Sequence, residues 1–116
     1  MTTDTKELLT YAAKAAGIDV IPMEIKNVTK QGDDRFIGFL RADTGYWFSP
    51  HTSDGDSARL RTTMGINVKW YADEVMVFVP TPLTFEERFS DHSGDKDAAL
   101  RAATLKLAAE IGRRME

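Results

Sequence analysis

The sequence predicts a single α+β domain in which a mainly antiparallel sheet of about five strands carries three helices, in the order α-β-β-β-α-β-β-α. Apolar residues recur at helical spacing in 5–16 and 95–114, and residues typical of strands fill much of the chain between them. The links between successive strands are short, which favours antiparallel pairing. Because 116 residues is the length of one domain, we expect one sandwich-like domain over 1–116.

The outer helices carry recognisable end signals. Asp4 and Glu7 have the spacing of a capping box at the start of the first helix, 5–16, and Gly17 suits the left-handed conformation that stops it. The last helix, 95–114, has an apolar face formed by Leu100, Ala103, Leu107 and Ile111. Its many alanines allow close approach, so we expect it to pack onto a flat partner, most simply the sheet.

The middle helix and the strands follow from shorter signals. A helix is predicted from Ser53 or Asp54 to Met64, where Gly65 stops it. Content of β-branched and aromatic residues predicts strands in 18–30, 35–40, 46–48, 66–71 and 75–79.

Two of these strands carry information about their place in the sheet. Pro22 cannot donate to a ladder, so it marks an edge strand or the first residue of a strand. Segment 35–40 is apolar on both faces, which predicts a central strand covered on both sides. Residues 81–94 predict no clear element. We expect Phe85 and Phe89 to contact the body of the domain while 86–88 stay solvated.

Composition excludes several classes of function. The chain has no cysteine, so it has no disulfide framework, thiolate nucleophile or cysteine-type zinc site. Its net charge is −3, from 15 basic and 18 acidic residues, and this lacks the basic footprint that duplex nucleic acid requires. No apolar run approaches the ~20 residues of a membrane span, and 2–7 lacks the apolar segment of a signal peptide. We therefore expect a soluble cytoplasmic protein.

Half of the polar candidate residues lie in or beside 46–60. The acidic run Ser53-Asp54-Gly55-Asp56 resembles part of a metal loop, but calcium loops need a longer series of acids and a distal glutamate. The alternative is that Ser53 or Asp54 caps the middle helix while Asp56 complements its positive end. We favour capping and assign no metal ligand.

The two histidines raise the question of catalysis. His51 precedes the helix cap and His92 follows in a later loop, so either could join Asp54, Asp91 or Asp95 in an acid–base pair or a metal site. A Ser-His-Asp arrangement is recognised by its geometry, which a sequence does not give. The chain has no nucleophile elbow, glycine-rich phosphate loop or helical histidine pair. We therefore assign no catalytic residue and no cofactor.

Five aromatic residues allow two interpretations. They could form a stacking platform for a base or nucleotide, or they could pack in the core. These residues are Tyr46, Trp47, Phe48, Trp70 and Tyr71. Alternation along the strand puts Trp47 opposite Tyr46 and Phe48, so at least one group faces the core. The remaining face, flanked by Arg35, Arg59 and His51, is the predicted location of an anionic ligand. The candidate ligand-binding residues at this helix entrance are His51, Thr52, Ser53, Asp54, Arg59 and Trp47.

The same stretch carries a family resemblance. The residues Trp47, Pro50, Thr52, Asp54-Gly55-Asp56 and Arg59-Leu60 resemble a pattern of small phage and prophage proteins. Segments 8–17 and 98–115 are similar to the opening and closing helices of those proteins, and the architecture resembles the phage α/β/α-sandwich family. The resemblance covers about half of the chain, and Phe48-Ser49 makes the elbow one residue longer than the pattern. The resemblance implies a phage context and a fold more than an activity, since these families mostly have no assigned function.

Three functions stay open at this point. The leading one is a phage accessory protein of the bacterial host cytoplasm that acts by stoichiometric binding of a host, defence or phage protein, or of a small nucleotide-like anion. The first alternative is a small metal-dependent hydrolase or nuclease that uses His51, Asp54 and Asp56 with a divalent ion. The second is a self-associating module, a homo-oligomer with Val75–Val79 or the alanine-rich helix at a symmetric interface.

Overall fold

The computed structural model describes residues 5–25, 35–80 and 82–115, with the side chains of Ile25 and Arg35 outside the description. In chain order the elements are α1 (Thr5–Ala16), β1 (Val20–Ile25), β2 (Arg35–Arg41), β3 (Trp47–Phe48), α2 (Asp54–Met64), β4 (Asn67–Trp70), β5 (Glu74–Val79), β6 (Leu83–Arg88), a short 3₁₀ turn (Phe89–His92) and α3 (Lys96–Arg113). The α+β class and the three helices are confirmed within the described ranges. The predicted capping residue Asp4 and the residues of predicted strand 18–30 beyond 25 lie outside them.

The described strands form two antiparallel sheets of three strands each, which corrects the prediction of a single sheet of about five. The first sheet has the order β1-β2-β3 and the second the order β4-β5-β6. The sheets separate because β3 pairs with β2 through only Trp47 and Phe48 before the chain turns into α2. Pro22 lies on β1, an edge strand of the first sheet, as predicted.

The strand that the sequence analysis missed is β6. It pairs with β5 over its whole length, from Glu74↔Arg88 to Val79↔Leu83. Its polar residues alternate with Leu83 and Phe85, and this period of two is the signal of a half-buried strand. The run 86–88 is therefore not simply solvated, since Glu87 points inward in the same cross-strand row as buried Val75.

Helix α3 lies at the centre of the fold and contributes to two hydrophobic clusters. Ala99, Ala103 and Leu107 pack with the second sheet, and Leu105 and Ala108 pack with α1, α2 and the first sheet. The predicted contact with a flat sheet is thus confirmed for one side of the helix, and its other side contacts α1. No helix of the described residues is long and apolar enough to cross a membrane.

The surfaces that the sequence suggested for self-association are buried inside the chain. Val75 and Val77 of β5 are 0% exposed, and so are Ala103 and Ala108 of α3. These residues already contact one another or the neighbouring helices. A symmetric interface through Val75–Val79 would therefore have to use the outward side of the strand, where Met76 and Phe78 are only partly buried.

The first sheet differs from its prediction in one respect that matters for function. Strand β2 is central, as expected, but the described residues cover only one of its faces. Phe36 and Phe39 pack toward α1, with ring centroids 5.0 Å apart, whereas Ile37 is 48% exposed. For the described residues the prediction of cover on both sides was wrong, because neither α1 nor α3 lies against the other face.

Candidate functional site

The polar residues at the start of α2 cap the helix and fix the elbow that precedes it. The Ser53 hydroxyl accepts a hydrogen bond from the backbone N–H of Asp56 at 3.2 Å, as an N-cap residue should. The Asp56 carboxylate accepts from the backbone N–H of Ser49 at 2.9 Å and pairs through its other oxygen with Arg59. The capping interpretation is confirmed, and Asp56 also fixes the elbow that precedes the helix.

A second set of contacts ties the same elbow to α3. Arg101 donates from Nε to the backbone carbonyl of His51 at 3.1 Å and from Nη1 to the Asp54 carboxylate at 2.6 Å. The His51 ring is half-buried, and its Nδ1 has no hydrogen-bond partner within the described part of the chain. Burial, followed by the charge of Arg101, lowers the pKa of His51 below its usual value near 6.5. A neutral ring at pH 7 follows from that direction.

Between α2 and α3 lies a buried polar contact that the sequence analysis did not find. Arg61 donates from Nη1 to the hydroxyls of Ser57 at 2.7 Å and Thr104 at 3.1 Å, and both hydroxyl residues are 0% exposed. Burial lowers the pKa of the guanidinium and nearby Asp54 opposes this, so Arg61 stays charged at neutral pH. The signal was present in the spacing, because positions 54, 57 and 61 share one face of a helix.

The six candidate ligand-binding residues do not form one pocket. His51 and Asp54 come together through Arg101, and Ser53 is occupied as the helix cap. Thr52 is exposed in the turn. Arg59 and Trp47 lie on two different surfaces, the first in a groove and the second on the uncovered side of the first sheet.

The groove has a volume of about 450 Å³ and lies between the end of α1, strands β2 and β3, and α2. Ile18, Phe48 and Leu60 form its apolar floor, and Arg41 and Arg59 contribute to its lining. This volume falls within the range of about 300–1,000 Å³ that is usual for small-molecule sites.

The uncovered side of the first sheet forms an apolar surface, which we call the apolar face. One cross-strand row consists of Ile21, Leu40 and Trp47, one residue from each strand. Met23 pairs with Gly38 in the adjoining row, and the Trp47 ring lies so close over Gly38 that an added Cβ would approach it at 3.2 Å. The register shifts between Met23 and Glu24, where Ile37 has no paired residue, and this β-bulge lets Ile37 lie on the same side as Gly38 while Phe36 faces the core. The apolar face therefore comprises Ile21, Met23, Ile37, Leu40 and Trp47.

The solvent-facing side of the second sheet has a different composition. Its rows join Lys69, Met76 and Glu86, then Asn67, Phe78 and Thr84, and finally Glu74 and Arg88. Polar or charged residues therefore flank the two apolar ones. An antiparallel sheet with one face in water normally shows this polar pattern, which the apolar face lacks.

A cluster of ionisable residues lies where β6 meets α3. The Glu87 carboxylate contacts His92 Nε2 at 2.9 Å and Lys106 Nζ at 2.7 Å, and its side chain is 12% exposed. Burial alone raises the pKa of Glu87, but hydrogen bonds from Lys106 and His92 and the charges of both outweigh burial and leave the pKa below its usual value. The contacts join β6, the 3₁₀ turn and α3.

Metal chemistry has little support in the part of the chain that the structure describes. Over 5–25, 35–80 and 82–115, no group of three or more histidine and acidic side chains is placed to hold a metal ion. The hydrolase alternative requires Asp54 and Asp56. Asp54 pairs with Arg101, and Asp56 pairs with Arg59 and accepts from the backbone N–H of Ser49.

Comparison of the chain with protein-family models, curated proteins and solved structures found no match. The resemblance to small phage proteins stays a prediction.

Proposed function

We propose that this chain is a binding module that associates stoichiometrically with another protein through the apolar face of its first sheet. The observation that carries the proposal is the row Ile21, Leu40 and Trp47 with its neighbours Met23 and Ile37, all on a side of the sheet that nothing in the described chain covers. Ile21, Ile37 and Trp47 are each 47–49% exposed. Contiguous apolar surfaces of this kind mark interaction sites on soluble proteins.

The composition of the apolar face indicates the chemistry of the partner. No charged side chain lies among its five residues, whereas charged residues line the matching side of the second sheet. A charged partner group set against the centre of this face would lose water without gaining a counter-charge. The partner surface is therefore aliphatic or aromatic at its centre. Tyr46, beside Trp47 and 76% exposed, supplies the kind of aromatic rim that protein interfaces favour.

The biological setting is a separate part of the proposal and rests on the resemblance to small phage proteins. We infer an accessory protein that works by occupying a surface of a host, defence or phage protein. Such a protein needs no catalytic group, and this fits the engaged acids at the start of α2.

The first step of the test is to find a partner and to show that it binds this face. The variant Ile21→Lys with Ile37→Lys adds two charges to the apolar face. The matched control, Asn67→Lys with Thr84→Lys, adds two charges to the solvent-facing side of the second sheet, where both residues are exposed. A bacterial protein retained by wild type and control is purified, and its affinity for each form is measured by titration calorimetry.

We expect 1:1 binding to wild type and control, and a loss of about 100-fold or more in the apolar-face variant, in line with the loss of interface hot spots. The two tryptophans add a spectroscopic check. In Trp70→Phe the remaining Trp47 emission should shift to the blue on binding.

Three results would overturn the proposal. One is a wild-type dimer in light scattering that becomes monomeric in the apolar-face variant, because a second copy would then be the occupant. Another is equal affinity of the purified partner for all three forms. The third is the absence of any protein whose retention depends on the apolar face.

A further inference from the structure

We propose that the groove between α1, the first sheet and α2 binds a small organic anion, with the apolar body of the ligand on the floor and its carboxylate or phosphate held by Arg41 and Arg59. This site is distinct from the apolar face. Phe48 lines the groove while its neighbour Trp47 lies on the apolar face, on the opposite side of β3.

The floor of the groove suits a flat or compact apolar body. Phe48 and Leu60 are 3% and 2% exposed, so their positions are fixed by the core and only a small part of each borders the groove. Ile18 completes the floor beside the end of α1. A ligand that rests here meets a rigid surface, which limits the ordering cost of binding.

The arginines that line the groove retain donors for a ligand. Arg41 uses Nε and Nη2 in its bonds to Asp43, at 3.2 and 3.1 Å, and Arg59 uses Nη2 in its bond to Asp56. Each guanidinium has five N–H groups, and the described chain supplies no further partner for the others. Guanidinium groups bind carboxylates and phosphates through paired hydrogen bonds, so an oxyanion is the ligand group that these donors fit.

The negative groups around the groove are already engaged. Asp56, the acidic residue in the lining, has one oxygen on the backbone of Ser49 and the other on Arg59. The Asp43 side chain is 62% exposed, so its surface pair with Arg41 contributes little and a ligand oxyanion can share the same guanidinium.

The helix ends that border the groove are also largely satisfied. The left-handed glycines Gly17 and Gly65 end α1 and α2, and their backbone N–H groups and those of the next residues bond to the last-turn carbonyls. The lining therefore presents two arginines and one acid in a chain whose total charge is −3. Asp43 lies outside the lining but pairs with Arg41, so each arginine already has one acidic partner and the case for an anion rests on the guanidinium donors that these pairs leave unused.

The test is a two-dimensional NMR titration of the ¹⁵N-labelled chain with four probes: 1-naphthoate, phenyl phosphate, the neutral 1-naphthamide and inorganic phosphate. We expect an organic anion to shift the backbone amide signals of Ile18, Thr62 and Thr63, which line the groove. The neutral amide lacks the anionic group, and inorganic phosphate lacks the apolar body. Each should therefore bind at least about tenfold more weakly.

Variants test the roles of the residues. Arg41→Gln and Arg59→Gln should each weaken binding by about tenfold, while Arg88→Gln, which removes the same charge from exposed β6, should leave it unchanged. Ala58→Trp fills the groove from an exposed helical position without altering charge, and should abolish the shifts. This variant keeps the test valid if removal of Arg59 disturbs the Asp56 elbow.

Several outcomes would overturn the proposal. These are the absence of shifts with both organic anions, shifts confined to residues outside the groove, equal binding of the neutral amide, or binding that survives Ala58→Trp. Loss of binding in Ile21→Lys with Ile37→Lys would also overturn it, since the probe would then occupy the apolar face.

Discussion

Replacing Gly112 with alanine tests the packing that holds the fold together. Gly112 lies in the last turn of α3, where the backbone of α1 passes directly over it. A Cβ on Gly112 would overlap the Tyr11 carbonyl oxygen and would lie 2.7 Å from the Tyr11 carbonyl carbon and 3.1 Å from its Cα. Separations below 3.0 Å essentially never occur for a real Cβ, and backbone cannot rotate away as a side chain can. The helices must therefore move apart.

The size of the effect follows from two opposing terms. Overpacking in a tight core costs about 1–3 kcal/mol and occasionally more, and contact with backbone places this site at the upper end. Alanine in place of glycine in a helix gains at most about 1 kcal/mol. We therefore expect Gly112→Ala to lower the free energy of unfolding by about 2 kcal/mol or more, which for a chain of this size is a fall in Tm of about 8 °C or more.

The matched control is Gly55→Ala in α2. Gly55 is also helical, but an added Cβ would meet only the end of the Arg59 side chain at 3.5 Å, an ordinary contact. Helix propensity should then leave the control as stable as wild type or up to about 1 kcal/mol more stable. Urea unfolding followed by circular dichroism measures both variants. A Gly112→Ala protein as stable as wild type, with unchanged denaturant dependence, would refute the close contact between α1 and α3.

Three further predictions concern polar groups. Thr104→Val leaves Arg61 without one of its buried acceptors and should cost about 1–3 kcal/mol in urea unfolding, whereas the exposed control Thr62→Val should change stability by no more than about 0.5 kcal/mol. Because the pKa of His51 is lowered in the folded chain, its contribution to stability is complete above about pH 6.5 and is lost as the pH falls below that value. His51→Gln should therefore flatten the dependence of Tm on pH between pH 7.5 and 5.5. An unchanged dependence would contradict the assigned burial of His51. The pKa of Glu87 is also lowered, so its contribution to stability is present above about pH 4.5 and is lost as the pH falls further. Glu87→Gln should therefore reduce the fall of Tm in acid below that pH. An equal fall of Tm in wild type and variant would rule out the bonds of Glu87 to Lys106 and His92.

The short strand β3 places the two proposed binding surfaces back to back. Trp47 completes a row of the apolar face, and the next residue, Phe48, packs into the core beside the floor of the groove. A substitution at Trp47 that disturbs its contact with Gly38 can therefore reach the groove through the backbone of β3. For this reason the apolar-face variant uses Ile21 and Ile37, which lie on β1 and β2.

The candidate site was predicted in part. The cap at Ser53 follows from local chemistry, because a hydroxyl that bonds to an N–H three residues later needs no distant partner. The partners of Asp54 and Arg61 on α3 did not follow, since Arg101 and Thr104 lie more than 40 positions away along the chain. Nothing local to either segment specifies which two helices meet, so the groove and the buried polar contact were both missed.

Elements that depend on near neighbours could be predicted from the sequence alone. The helices begin and end close to their predicted residues, with Gly17 and Gly65 in the left-handed conformation, and the edge position of Pro22 follows from its missing N–H. Tertiary structure decided how the sheets divide and which apolar residues are covered. Segment 35–40 is apolar on both faces. The sequence pattern gives the composition of each face of a strand, but whether a face is buried depends on which elements pack against it. Because α3 contributes to both hydrophobic clusters, one side of β2 enters the core, while the described residues leave Ile37 on the other side 48% exposed.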